Sequence, residues 1–167
     1  YIGLEPQNWV TAWVAITDSN KHNGCMRMWS GSHKDSLKHH EQKFNEGNLL
    51  TRGQTVNDVP TKNTTPLLLS AGQMSLHHPT VVHGSDLNKS DDRRIGFVIQ
   101  SYIGTNVKQI LGKNSVQLAR GNDNYNFHEK IERTKSLMNK DDLKLKKQEN
   151  DNLQEIFYKG SNKKGNY

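Results

Sequence analysis

The stretch Leu76-His-His-Pro-Thr-Val-Val-His-Gly-Ser-Asp-Leu-Asn-Lys-Ser-Asp-Asp-Arg-Arg94 runs on into Ile95-Gly-Phe-Val-Ile-Gln-Ser-Tyr-Ile103, and its reading decides the fold. Short apolar runs broken by Pro79 and by a polar connection from Asp86 to Asp92 read as strands, not helices. His83 and Ser85 stand two apart, so on a strand they point to the same side. Gly84 between them admits close approach of another group. The polar connection then returns the chain, and Arg94 opens the next strand. There Ile95, Phe97, Ile99 and Ile103 alternate with Val98 and Tyr102, and apolar character on both faces predicts a central strand. An arginine at the mouth of an apolar β-layer is costly unless a carboxylate meets it, and its planar fork suits a carboxylate-bearing ligand. The local chemistry is therefore an imidazole of metal-ligand type, a hydroxyl on the same face and an anion clamp. A histidine in a β-rich core that is simply hydrogen-bonded remains the alternative at this point.

Upstream, Trp9-Val-Thr-Ala-Trp-Val-Ala-Ile16 alternates with period two, Thr11 and Trp13 opposing Val10, Ala12, Val14 and Ile16. Asp18 to Gly24 is a turn with Asn23-Gly24 near its end, and Cys25 to Trp29 is a second strand. From His33 to Pro66 the chain is polar; this long excursion predicts a lid or binding loop, with a short helix around Ser36 to Phe44. Pro66 to Leu69, Met74 to His78 and Val81 to Ser85 resume β structure. The composition shifts near residue 105. Glu129 to Tyr158 has helical spacing, divided at Asn139 or Lys140, with Ile131, Leu137, Leu145, Leu153, Ile156 and Phe157 able to dock. The expected organisation is a mostly β core over residues 1–104, a helical extension over 105–158 and a mobile tail over 159–167.

The 167 residues include 23 Lys and Arg against 17 Asp and Glu, a net charge of +6. That balance tolerates anions without demanding nucleic acid, since no recognised module accompanies the charge. No run of about 18 apolar residues exists to span a membrane. The single Cys25 excludes an internal disulfide framework and a cysteine zinc cage, and a reducing, cytoplasmic setting is expected. Eight histidines tilt any metal site toward imidazole and oxygen ligands.

The stretch from Leu76 to Arg94 resembles the C-terminal signature of the phytanoyl-CoA dioxygenase family, iron(II)- and 2-oxoglutarate-dependent oxygenases. Val10-Thr-Ala-Trp-Val-Ala-Ile16, Asn23-Gly-Cys-Met26 and Ser30-Gly-Ser-His-Lys34 follow the same family in order and spacing. The likeness covers about residues 1 to 104, with Gln117-Leu-Ala-Arg-Gly121 as a further candidate match. It implies a double-stranded β-helix, or jelly roll, with iron held by a His-x-Asp pair on an early strand and by a distant histidine. His83 matches that distant ligand. Arg94, eleven residues later, matches the clamp for the far carboxylate of 2-oxoglutarate, Ser85 a supporting hydroxyl, and Trp13 an aromatic on the inner wall. His78 falls near the metal in this pattern with a structural part, while His77 flanks the strand and His33 carries no chemistry.

The family's His-x-Asp pair would fall ahead of Tyr1. No such pair is assigned within the chain, and Asp18 and Asp35 are read as turn residues without a histidine partner. The expectation is therefore the larger C-terminal part of an oxygenase, from a truncated gene model or a degenerate relative. It would hydroxylate a small organic molecule if complete and be inactive in this form. The alternatives are a related non-haem iron halogenase and a non-catalytic jelly-roll remnant. The implied cofactors are Fe(II) and 2-oxoglutarate. A small-molecule substrate is the expected partner, with self-association through an uncovered sheet face.

Overall fold

The structure is a computed structural model that describes residues 2–35, 37–43, 50, 53–132, 134, 136 and 138–161. In chain order the strands are β1 (Leu4–Glu5), β2 (Trp9–Ala15), β3 (Met26–Trp29), β4 (Glu41–Gln42), β5 (Gln54–Thr55), β6 (Thr64–Pro66), β7 (Met74–His77), β8 (His83–Ser85), β9 (Gly96–Ile103), β10 (Lys108–Gln109), β11 (Ser115–Val116) and β12 (Glu129–Lys130), followed by helix α1 (Lys140–Tyr158). The chain divides into two compact units: residues 9–41 with 55–103, and residues 1–8 with 42–54 and 104–167.

The first unit holds two three-stranded antiparallel sheets, ordered β7-β2-β9 and β6-β3-β8. Directly opposed residues of an antiparallel pair share a face. Trp13 opposes Ser75 on β7 and Val98 on β9; Thr11 opposes His77 and Ala15 opposes Gly96. On the other sheet Met26 opposes Ser85, and Met28 opposes His83. Trp13, Ala15 and Met26 form the buried centre, with Met28, Leu67 and Leu69 packed on it. The inner faces of the two sheets meet at these residues, as in a jelly roll. Burying Trp13 contributes about 3 kcal/mol or more, the largest single apolar term here.

The opposite face of the β7-β2-β9 sheet is also apolar. Leu76 and Ile99 flank Ala12; Met74 and Phe97 flank Val14; Tyr102 opposes Val10. Met74, Leu76, Phe97 and Tyr102 are exposed. This corrects the expected central position of the Arg94–Ile103 strand. β2 is central, and β9 pairs with β2 alone among the described residues. Apolar side chains on both faces show that both are fit for burial, not that both edges are paired.

The turn after β2 positions the site. Asn23, 4% exposed, donates from Nδ2 to the Asp18 carbonyl at 2.8 Å and accepts the Asn20 N–H at 2.8 Å. Gly24 has φ of 74°, and a Cβ there would meet the Asp86 carbonyl oxygen at 2.6 Å. Only glycine admits that approach. Lys89 N–H donates to the His22 carbonyl at 2.9 Å, so this turn carries the Asp86–Asp92 connection that delivers Arg94.

In the second unit β1 pairs antiparallel with β10, and β11 pairs parallel with β12. The helical expectation over Glu129–Tyr158 holds from Lys140 onward. Asn139 caps α1 by accepting the Asp141 N–H at 2.9 Å, and Asp141 and Asp142 lie in the first turn. Both features favour a helix start. Before it, Glu129–Lys130 is a strand, because the Ile131 N–H joins the Val116 carbonyl at 2.9 Å. Ile156, 1% exposed, packs against Gly112, while Leu145, Leu153 and Phe157 are half-buried. Leu137 and residues 162–167 of the expected tail lie outside the described residues. So do both ends of the expected Ser36–Phe44 helix; within that span Glu41–Gln42 is strand β4.

Candidate active site

Of the expected site residues, Arg94, Ser85 and Trp13 come together in the first unit, while His83 shares the exposed strand β8 with Ser85. His83 and Ser85 lie on β8, opposite the core residues Met28 and Met26. Trp13 lies on the facing sheet, and Arg94 precedes β9 with the parity of Gly96 and Val98. Arg94 Nη2 donates to Ser85 Oγ at 3.2 Å, and its guanidinium stands 5.7 Å from the Trp13 ring centroid. That distance is within cation–π range. The indole occupies the space above Gly96, where a Cβ would overlap its ring. A glycine on β9 thus lets Trp13 lie flat enough to seat the arginine.

Among the described residues no carboxylate meets Arg94. Asp86, next to Ser85, pairs instead with Arg27 at 3.8 Å. Arg94 therefore keeps donors free beyond the one on Ser85. A guanidinium with a hydroxyl beside it, backed by an aromatic face, is a receptor for a carboxylate.

His83 Nδ1 lies 3.0 Å from the Val81 carbonyl oxygen. A carbonyl only accepts, so Nδ1 carries the proton and Nε2 keeps its lone pair, the form a metal ion binds. His77, 8% exposed, sits across from it on β7 with ring centroids 5.8 Å apart, and its Nε2 is 2.7 Å from Ser75 Oγ. Burial, and then the neighbouring His83, hold His77 below the usual histidine range.

His78 serves the turn. Its Nδ1 accepts the Thr80 N–H at 3.3 Å, and its ring lies 5.6 Å from that of His33. Burial first, and His33 second, lower its proton affinity. Ser32 ties the same turn to β3, donating to the Trp29 carbonyl at 2.8 Å and accepting the Val82 N–H at 2.9 Å.

One sequence expectation needs correction. Asp35 does have a histidine two residues earlier, in His33-Lys34-Asp35. The pair is no metal centre in this structure: it spans a 3-10 turn, and Asp35 binds Lys38 Nζ at 2.7 Å. That contact holds the Asp35 carboxyl below its ordinary range. Its exposed place at a turn shows why spacing alone is a poor guide here.

The residues fit the two implied groups unequally. Arg94, Ser85 and Trp13 suit one carboxylate of 2-oxoglutarate. For iron, His83 offers a lone pair, but among the described residues no group of three His, Cys, Asp or Glu side chains converges on one point. His77 is the neighbour that sequence reading missed. Its signal was its parity with Ser75, which becomes informative only once the β2–β7 register places both residues on Trp13's face.

Comparison with known proteins finds related sequences and structures. Phytanoyl-CoA dioxygenase, peroxisomal, from Mus musculus is 30% identical over 96 residues, covering 56% of this chain and 28% of that protein. Its counterpart from Homo sapiens is 33% identical over 86 residues, covering 51% and 25%. The chain thus spans about a quarter of the length of these curated relatives. Among solved structures, a non-heme monooxygenase, ThoJ in its apo form, matches with a TM-score of 0.82 and 29% identity. That match covers 98% of this chain and 59% of that one. The family model for Phytanoyl-CoA dioxygenase (PhyH) matches residues 1–96, and the chain belongs to this family.

Proposed function

We propose that the first unit carries the 2-oxoglutarate-binding wall and one metal ligand of an iron(II)/2-oxoglutarate-dependent oxygenase that hydroxylates a small organic molecule. The observation that carries this reading is the Arg94 guanidinium, donating to Ser85 and stacked near Trp13, with no carboxylate of its own among the described residues. Arg94 and Ser85 hold the far carboxylate of the cosubstrate, and that grip fixes its orientation. Trp13 backs the clamp and keeps water from one side of the pair. His83, its proton fixed on Nδ1 by Val81, presents Nε2 to the metal. Since the described residues furnish no three-ligand set, we expect this chain alone to be inactive. Cys25 is buried and free. No helix among the described residues is long and apolar enough to cross a membrane.

A second reading, a jelly roll that binds a small anion without catalysis, is favoured by the same lack of a three-ligand group. Titration with iron(II) and 2-oxoglutarate under nitrogen separates the two. A metal-to-ligand charge-transfer band that disappears in His83→Ala supports the oxygenase reading. Binding of 2-oxoglutarate with no band at any iron concentration supports the anion binder.

A further inference from the structure

We propose that His77 and His83 form a two-imidazole site for a divalent transition-metal ion, built across the two sheets of the first unit. The proposal shares His83 with the reading above but depends on His77, which that reading does not use. The two rings come from different sheets, β7 and β8, and face each other with centroids 5.8 Å apart and planes inclined at 47°. A metal–nitrogen bond of about 2.0–2.1 Å places two imidazoles that share one ion roughly 5–6 Å apart, centre to centre. The observed separation falls in that interval.

The remaining ring nitrogens are arranged as ligating histidines require. A metal-bound imidazole commonly donates its other N–H to a fixed oxygen, which sets the ring's orientation. His83 donates from Nδ1 to the Val81 carbonyl at 3.0 Å, and His77 has Nε2 2.7 Å from Ser75 Oγ. Ser75 Oγ is able to accept an Nε2–H, and in that tautomer the His77 lone pair is at Nδ1. Among the described residues nothing hydrogen-bonds to His77 Nδ1 or to His83 Nε2. The neighbouring pair, His33 and His78, has a similar ring separation of 5.6 Å but lacks this feature, because His78 Nδ1 already accepts from the Thr80 backbone. That pair serves as an internal control. Imidazole pairs suit zinc and the later first-row ions.

Calorimetry with Zn(II) on the untagged chain tests the site. His77→Ala and His83→Ala should each weaken binding by at least about tenfold, the size already seen when an outer partner of a ligand is lost. His78→Ala should leave it unchanged. Because His77 is buried, its variant also removes packing, so ring-nitrogen NMR of the unmodified chain gives a second readout. Zn(II) should shift His77 Nδ1 and His83 Nε2 together. Zinc affinity unchanged in His77→Ala, or a His77 ring unmoved by Zn(II), overturns the proposal. If His83→Ala alone abolishes binding, the two-imidazole site falls and the oxygenase reading stands. Zinc held by both rings with no iron–2-oxoglutarate band supports the site and counts against that reading.

Discussion

Replacing Arg94 by leucine tests the clamp. The substitution removes the guanidinium that donates to Ser85 Oγ at 3.2 Å and stands 5.7 Å from the Trp13 ring, while keeping an apolar stem against the indole. A hydrogen bond to a charged group is worth about 1.5–3 kcal/mol, and Arg94 has enough free donors for a bidentate grip. The hydroxyl partner is exposed, which places the loss near about 2–3 kcal/mol and below the value for a sealed pair. That corresponds to roughly 30- to 150-fold in the dissociation constant. Calorimetry with 2-oxoglutarate, supported by quenching of tryptophan fluorescence, reads the change, and circular dichroism confirms that the variant is folded. Arg94→Lys should fall between the two, since it keeps the charge and loses the fork. Less than a threefold change in a folded Arg94→Leu would refute the assignment of this arginine to the cosubstrate.

Gly96→Ala places a methyl group within the Trp13 indole, so it should destabilise the chain by about 1–3 kcal/mol, lower the melting temperature and weaken 2-oxoglutarate binding in parallel. His77 has its folded-state proton affinity depressed by burial and by His83, so the unfolded chain binds more protons at mildly acidic pH. Stability should therefore be full above the unfolded value of 6.5 and fall as pH drops through it, and denaturant melts of His77→Phe should show a flatter profile over that window. The outer face of the β7-β2-β9 sheet exposes Met74, Leu76, Phe97 and Tyr102, a patch on the order of 500 Å², at the upper end of what monomers carry. Sedimentation should show self-association that Leu76→Lys combined with Phe97→Glu reduces; an unchanged mass distribution would remove that face as the cause.

The site was legible where strand periodicity alone determines it. His83 and Ser85 share a face because they are two apart, and a strand opened by Arg94 and filled with alternating apolar residues admits few other readings. β2 was legible for the same reason, with Trp13 opposing Val14. What escaped depends on register between strands far apart in sequence. The pairing of Thr11 with His77 turns that histidine toward His83, and no local pattern around His77-His78 shows which of the two faces inward. β9 read as central because apolar residues on both faces do not reveal which edges are paired. The segment before α1 carries helix-compatible residues, yet a parallel pairing with β11 claims Glu129–Lys130 as strand. Asn139 and the two aspartates after it marked the true helix start.

We propose that His83 and Arg94 attend opposite ends of a small diacid. A crystal structure of the chain soaked with 2-oxoglutarate measures this most directly. The account predicts one carboxylate on the Arg94 guanidinium and the Ser85 hydroxyl, with the keto-acid end directed toward His83 Nε2. The diacid bound elsewhere, or lying on Arg94 with its other end turned away from His83, would contradict it.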